Sequence, residues 1–190
     1  FHVVDGASPY LSDAFAQQHY DFHNRTLSGQ KEMKPRWKRV LDTINGQVDE
    51  AMGQMYVEVA FPPESKAQME ALVANLGDAL KARIQNLEWM GDDTKRQALE
   101  KLAKIEPKIG YPEKWQDYSD LEVKTDSYVQ NVLRAKAFDT RDRFSKLGQE
   151  VDRKQWHTTP QTVNAYYSSP RNEITFPAGI LQPPFFDLSA

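Results

Sequence analysis

The sequence contains no cysteine. Disulfides, thiolate metal sites and a cysteine nucleophile are therefore excluded. No apolar run approaches the roughly 20 residues that a membrane-spanning helix needs. No stretch of secretory-signal type lies at Phe1, which for an internal segment says nothing about location. Charge of one sign is also missing: 24 Lys and Arg stand against 27 Asp and Glu, a net charge of −3. Nucleic-acid binding asks for a concentrated basic face. The only short basic cluster is Pro35-Arg36-Trp37-Lys38-Arg39, which reads as a solvated helix start with Trp37 turned inward. There is no Gly-x-Ser-x-Gly elbow, no phosphate-cradling glycine loop, no internal repeat and no His-Glu-x-x-His. Carboxylates are plentiful, as in Asp92-Asp93 and Asp139 to Asp142, but they fall on polar helix faces or at helix starts. Nothing in the sequence pairs two of them as acid and base.

What is present is ordinary for a globular protein: 39% hydrophobic and 27% charged residues in 190. That length makes one domain or parts of two, and a compact chain of it buries about 70% of its unfolded surface.

The first half reads as successive helices. Ser8-Pro9 is a helix start, with Leu11, Ala14, Phe15, Gln18 and Phe22 on one face and Ser28-Gly29 at the end. Trp37, Val40, Leu41, Ile44, Val48, Met52, Met55, Tyr56 and Val59 keep three-and-four spacing, so a second helix is expected over 35–59. Gly46 and Gly53 inside it imply close packing against a neighbour. Pro63-Glu64 opens a third helix with a stripe of Met69, Leu72, Val73, Leu76, Leu80, Ile84 and Leu87. A shorter helix starts at Asp92 or Asp93, where acidic residues suit the positive end of the helix dipole.

Residues 107–123 are non-repetitive, punctuated by Pro107, Gly110 and Pro112, and mark a domain boundary or crossing segment. Residues 126–149 read as one more helix, burying Tyr128, Val129, Val132, Leu133, Phe144 and Leu147. After Trp156 the texture turns extended: residues 162–167 form a strand, 168–172 a turn, and Glu173-Ile174-Thr175-Phe176 the returning strand, ended by Pro177. The apolar, proline-rich Leu181 to Phe186 asks for a partner surface that these 190 residues do not obviously provide.

Two places invite a chemical reading. His19 and His23 are four apart on a helix, a spacing that can hold one metal ion. A zinc peptidase also needs a glutamate after the first histidine and a third ligand. Position 20 is tyrosine and no third ligand is marked, so both are read as partly exposed histidines and no metal is expected on this chain. His2 and His157 are lone histidines with no ligand pattern around them. Asn164 lies inside an apolar extended segment, where asparagine is disfavoured. Its amide must find a partner or reach a cleft. At a sheet edge it could clasp a peptide backbone; the alternative is a bond to its own turn.

The order of motifs resembles the neprilysin and endothelin-converting-enzyme family of zinc metallopeptidases over nearly the whole chain. The stations are Arg36-Trp37-Lys38-Arg39, Asn45-Gly46, Gln54-Met55-Tyr56-Val57-Glu58 with Phe61, Glu64-Ser65-Lys66, Leu87-Glu88-Trp89-Met90, Lys95 and Ile109-Gly110-Tyr111-Pro112. The longest is Val163-Asn164-Ala165-Tyr166-Tyr167-Ser168, running on to Phe176-Pro177-Ala178-Gly179-Ile180-Leu181-Gln182-Pro183-Pro184-Phe185-Phe186.

The resemblance implies a mainly α segment: residues 1–109 in a bundle-like, helical, size-limiting lobe, and residues 110–190 starting a thermolysin-like catalytic lobe with a helix and a short β-hairpin. It implies a zinc endopeptidase that cleaves peptides in an enclosed chamber, with Asn164 and Ala165 holding the substrate backbone. Zinc belongs to the complete protein, since the zinc-binding and catalytic residues of the family match nothing here. On this reading the chain is a central fragment, inactive alone, that packs against a missing C-terminal part of its own protein. A non-catalytic helical peptide-binding or scaffold module is the alternative. Absence of cysteine departs from the disulfide-rich animal members and favours a bacterial relative. The resemblance points outside the cytoplasm: periplasmic, secreted or membrane-anchored. It implies peptide as the partner, without nucleic acid or membrane contact from this segment.

Overall fold

The computed structural model describes residues 2–188. Phe1, Ser189 and Ala190, which close the two expected lobe segments, lie outside the described residues. The fold is mainly α, as expected, with one small sheet. The chain forms two compact units, each drawn from two stretches: Phe1–Asp49 with Asp117–Glu150, and Glu50–Gln116 with Val151–Ala190. The boundary expected between residues 109 and 110 falls inside a strand of the second unit.

The first unit holds α1 (His2–Ala7), a 3₁₀ turn (Ser8–Tyr10), α2 (Asp13–His19) continuing into a π-helical segment (Tyr20–Thr26), α3 (Arg36–Gln47) and α7 (Tyr128–Ser145). Ser8 does not open the long helix. Its buried hydroxyl donates to the Val4 carbonyl at 2.7 Å and closes α1, while Ser12, in extended conformation, precedes α2. The apolar face expected on α2 is also displaced. Ala16 and Tyr20 are buried, whereas Phe15 and Phe22 are about half exposed. Tyr20 anchors that face through its hydroxyl, which donates to the Gln30 carbonyl at 2.9 Å. Gly29 ends the segment with φ +68°, a conformation in which glycine has no Cβ penalty. In α7 the buried residues are Val132, Ala135 and Phe138; the expected Leu133 and Phe144 are exposed, and so is Leu147, past the helix end.

The helix expected over 35–59 is broken at Val48 (φ −136°, ψ 49°) into α3 and α4 (Asp49–Ala60). Trp37 is exposed rather than turned inward. Gly46 meets no neighbour and sits in the last turn before the break, while Gly53 is packed as the sequence implied.

The second unit joins most of α4 to α5 (Pro63–Gln85), α6 (Asp92–Leu102), β1 (Glu106–Gly110), β2 (Tyr166–Ser168) and β3 (Glu173–Pro177). The sheet order is β1-β3-β2, with β1 parallel and β2 antiparallel to β3. The hairpin register pairs Tyr166 with Thr175, Tyr167 with Ile174 and Ser168 with Glu173. β1 was not expected, because Pro107 lacks the N–H that a ladder needs. It is tolerated because β1 is an edge strand, bonded on one side only.

Phe61, Met69, Ile109, Ala178 and Leu181 form the core, flanked by Tyr56, Val57, Tyr111, Phe176, Ile180 and Phe186. The Leu181–Phe186 segment therefore finds a partner surface within this chain, contrary to expectation. Gln182 pins it by donating to the Ala60 carbonyl at 2.8 Å, and Phe185 alone of its aromatic pair stays exposed. Among the described residues no helix is long and apolar enough to cross a membrane.

Candidate functional site

The segment carrying Asn164 is positioned from below by β3. Glu173 and Thr175 of that strand are completely buried. Glu173 meets Lys108 of β1 at 2.7 Å, and the same ammonium donates to the Gln155 carbonyl at 2.7 Å. One buried cation thus ties both parallel strands to the chain leading into residues 156–165. Beyond β3, the Ala178 N–H donates to the Gly110 carbonyl at 2.8 Å and the Gly179 N–H to the Pro160 carbonyl at 2.7 Å.

Two glycines let this happen. A Cβ on Gly179 would lie 2.8 Å from the carbonyl oxygens of both Gln161 and Thr162. A Cβ on Gly53 of α4 would lie 2.7 Å from Pro160 Cδ. Residues 160–162 are held between these two close approaches, where no side chain fits. The Thr162 N–H closes a turn on the Thr159 carbonyl at 3.0 Å, and the Asn164 N–H follows onto the Thr162 carbonyl at 3.1 Å.

Asn164 and Ala165 emerge next, both exposed, leading into β2. The Asn164 Oδ1 accepts the Ala165 N–H at 2.8 Å, which is the local bond that the sequence left as an alternative. Its amide nitrogen makes no hydrogen bond among the described residues. β2 is an edge strand, so one side of its backbone faces no strand of the sheet. The hairpin end is fixed by Asn172 in left-handed conformation (φ 51°), a residue type that tolerates it. Asn172 accepts from the Tyr167 hydroxyl at 2.9 Å and donates to the Lys101 carbonyl at 2.9 Å. The exposed dipeptide with an unspent amide, on a rigid base beside a strand edge, can hydrogen-bond an extended backbone.

Sequence reasoning singled out Asn164 and Ala165 as candidates but missed what holds their segment. Lys108 and Glu173 are 65 residues apart, and Lys108 lay in a stretch read as non-repetitive. Gly179 carried a signal, a glycine inside an apolar run, which marks a close backbone approach.

The two histidines lie in the other unit. The rings of His19 and His23 are 4.3 Å apart, and His23 Nε2–H donates to Asp5 Oδ1 at 3.0 Å. Asp5, His19 and His23 each bring a potential ligand atom within 4.8 Å of the others. Burial, and then the neighbouring His23, lower the pKa of His19, with Asp5 opposing. The hydrogen bond from His23 lowers that of Asp5. Asp5 brings a third potential ligand atom, which the sequence did not mark.

The chain matches the N-terminal sequence pattern of peptidase family M13 over residues 1–112, and the peptidase pattern of the same family over residues 164–190. The chain belongs to peptidase family M13. This is the neprilysin family of zinc metallopeptidases, as the motif order indicated. It is 38% identical to rabbit (Oryctolagus cuniculus) neprilysin over 170 residues, covering 85% of this chain and 23% of that protein. It is 36% identical to the neutral endopeptidase of Lactobacillus helveticus over 188 residues, covering 97% of this chain and 29% of that one. The open-state cryo-EM structure of the Mycobacterium tuberculosis zinc metalloprotease Zmp1 superposes with a TM-score of 0.91 at 43% identity, covering 99% of this chain and 29% of the other. The chain thus spans about a quarter of the length of the relatives it matches.

The residues present do not fit the catalytic zinc of an M13 enzyme. The histidine pair has Tyr20 where the base glutamate is required, and Tyr20 is buried with its hydroxyl spent on Gln30.

Proposed function

We propose that the complete protein is a zinc-dependent endopeptidase, and that this segment contributes the strand that holds the substrate backbone. The zinc ligands and the general base are not among these 190 residues, so the chain alone has no peptidase activity. Asn164 donates its unspent amide nitrogen to the peptide, and the Ala165 carbonyl and the β2 edge pair with its main chain. Backbone pairing gives affinity without demanding a particular side chain, which suits an enzyme acting on varied peptides.

The observation that carries this reading is the exposed Asn164-Ala165 pair leading into an unpaired strand edge, on a base fixed by Gly53, Gly179 and Lys108. The test is Asn164→Ala in the complete enzyme, assayed on a quenched-fluorescent peptide. The expected loss is about 10- to 100-fold in kcat/KM with an unchanged thermal midpoint, the scale of one hydrogen-bond donor lost to the transition state. Unchanged kcat/KM would remove Asn164 from substrate binding.

A further inference from the structure

We propose that Asp5, His19 and His23 form a binding site for a divalent transition-metal ion, with zinc the cation their chemistry suits best. The site is separate from the peptidase chemistry and does not rest on it. Two imidazoles and one carboxylate are a common zinc donor set, and water completes the shell. Ligands bound tetrahedrally at about 2.0–2.1 Å stand about 3.4 Å apart. The three candidate atoms are already within 4.8 Å of one another, and His23 Nε2 and Asp5 Oδ1 are 3.0 Å apart. The widest pair therefore closes by at most about 1.4 Å, which side-chain rotation supplies.

Three further features favour a ligand here. His23 and Asp5 are about one-third exposed, so an ion can reach them while losing part of its water. The helix changes from α to π directly after His19, and π segments concentrate at functional sites. His19 also lines a cavity of about 240 Å³, shared with Tyr20, Asn24, Arg36 and Arg39, which leaves space for the water ligands.

Asp5 belongs to α1, and His19 and His23 to the helix that follows it. A bound ion would staple α1 to that helix. Tyr20, not a carboxylate, directly follows His19, so the site holds an ion without the base that activates water for peptide cleavage.

The experiment uses the 190-residue chain, in which no His-Glu-x-x-His competes. Chelator-stripped protein is titrated with Co²⁺, read by visible absorbance, and then with Zn²⁺. Asp5→Asn, His19→Ala and His23→Ala are run beside it, with His157→Ala as a control. The expectation is one Co²⁺ per chain, displaced by Zn²⁺, with a higher thermal midpoint in the loaded protein. Each ligand variant should bind at least tenfold more weakly, and His157→Ala should bind as the parent does. Asp5→Asn keeps the size of the side chain and an oxygen for His23, so the test survives if a histidine variant unfolds. Failure to bind Co²⁺ would overturn the proposal, and so would binding that persists in Asp5→Asn and His19→Ala.

Discussion

Gly179→Ala isolates the physical basis of the Asn164 segment. The φ of Gly179 is not in the left-handed region, so alanine carries no backbone penalty and its cost is steric. The added Cβ would stand 2.8 Å from two backbone oxygens and 2.9 Å from the Gln161 carbonyl carbon. Ordinary contact begins near 3.4 Å, so the backbone of residues 161–162 must retreat by about half an ångström. No flexible side chain can yield in its place. Overpacking of this kind costs about 1–3 kcal/mol. In a protein of this size each kcal/mol lowers the midpoint by about 2–4 °C, so the expected drop is about 2–12 °C. The retreat also strains the Gly179 N–H bond to Pro160 and carries Asn164 with it. The complete enzyme should then lose kcat/KM beyond what its stability explains, because sub-ångström misplacement of a positioning group is costly. Gly46→Ala is the control: nothing lies within 4 Å of its Cβ, and a helical alanine gains up to about 1 kcal/mol. Calorimetry of both variants and peptide assays of the complete enzyme decide the matter. If Gly179→Ala melts and cleaves like the parent, the backbone clamp is not what positions the strand.

Other predictions address charge. Lys108→Met strands a buried carboxylate and the Gln155 carbonyl, and should cost about 3–5 kcal/mol in chemical denaturation. Adding Glu173→Leu should recover most of that loss; a double variant as unstable as the single would show that the pair matters for shape rather than charge. Asp126 is gripped by both guanidinium nitrogens of Arg134, at 3.0 and 2.6 Å, and its carboxyl is held down to about 2 by that bond first. The folded value lies below the unfolded 3.8, so this stabilisation is complete above 3.8 and disappears as pH falls through about 2. Carboxyl NMR titration should place the Asp126 midpoint near the lower value, and Arg134→Met should return it toward the ordinary one. A midpoint unmoved by that substitution would assign the shift to another cause.

Helices were legible wherever periodicity was long, and their faces less so. In α5 the expected stripe is real, yet only Met69 and Ile84 of it are buried, while Leu72, Leu76 and Leu80 are exposed. Periodicity identifies which face is apolar, not what covers it. Breaks were harder. Val48 has no proline or glycine beside it that would force the α3–α4 interruption, and the apolar spacing runs through it. β1 was hidden for the opposite reason, since a proline argued against a strand that edge position makes acceptable. The hairpin was legible because alternation and a turn cluster agreed. Asp5 could not be found as a candidate ligand, because a lone carboxylate on a six-residue helix has no pattern that points to residues 14 and 18 positions ahead.

Asn164 shows how a locally poor residue can be explained by the structure around it. Asparagine is a poor choice for an extended apolar segment because its amide competes for backbone bonds. Here the competition is resolved by exposure: Oδ1 takes the next N–H, and the amide nitrogen stays in reach of solvent. A local bond of this kind is worth about 1 kcal/mol net and is exchanged for another at little cost. Edge strands are normally blunted, because an open ladder invites pairing with other chains. β2 is only three residues long and ends at a turn locked by Asn172, which limits what can add to it. With Asn164 and Ala165 ahead of it, the open edge is long enough for a few residues of extended peptide and too short to template a sheet. On the proposed reading, a short edge, a side-chain amide with its nitrogen unspent and a base that cannot shift favour transient capture of a peptide backbone over stable association.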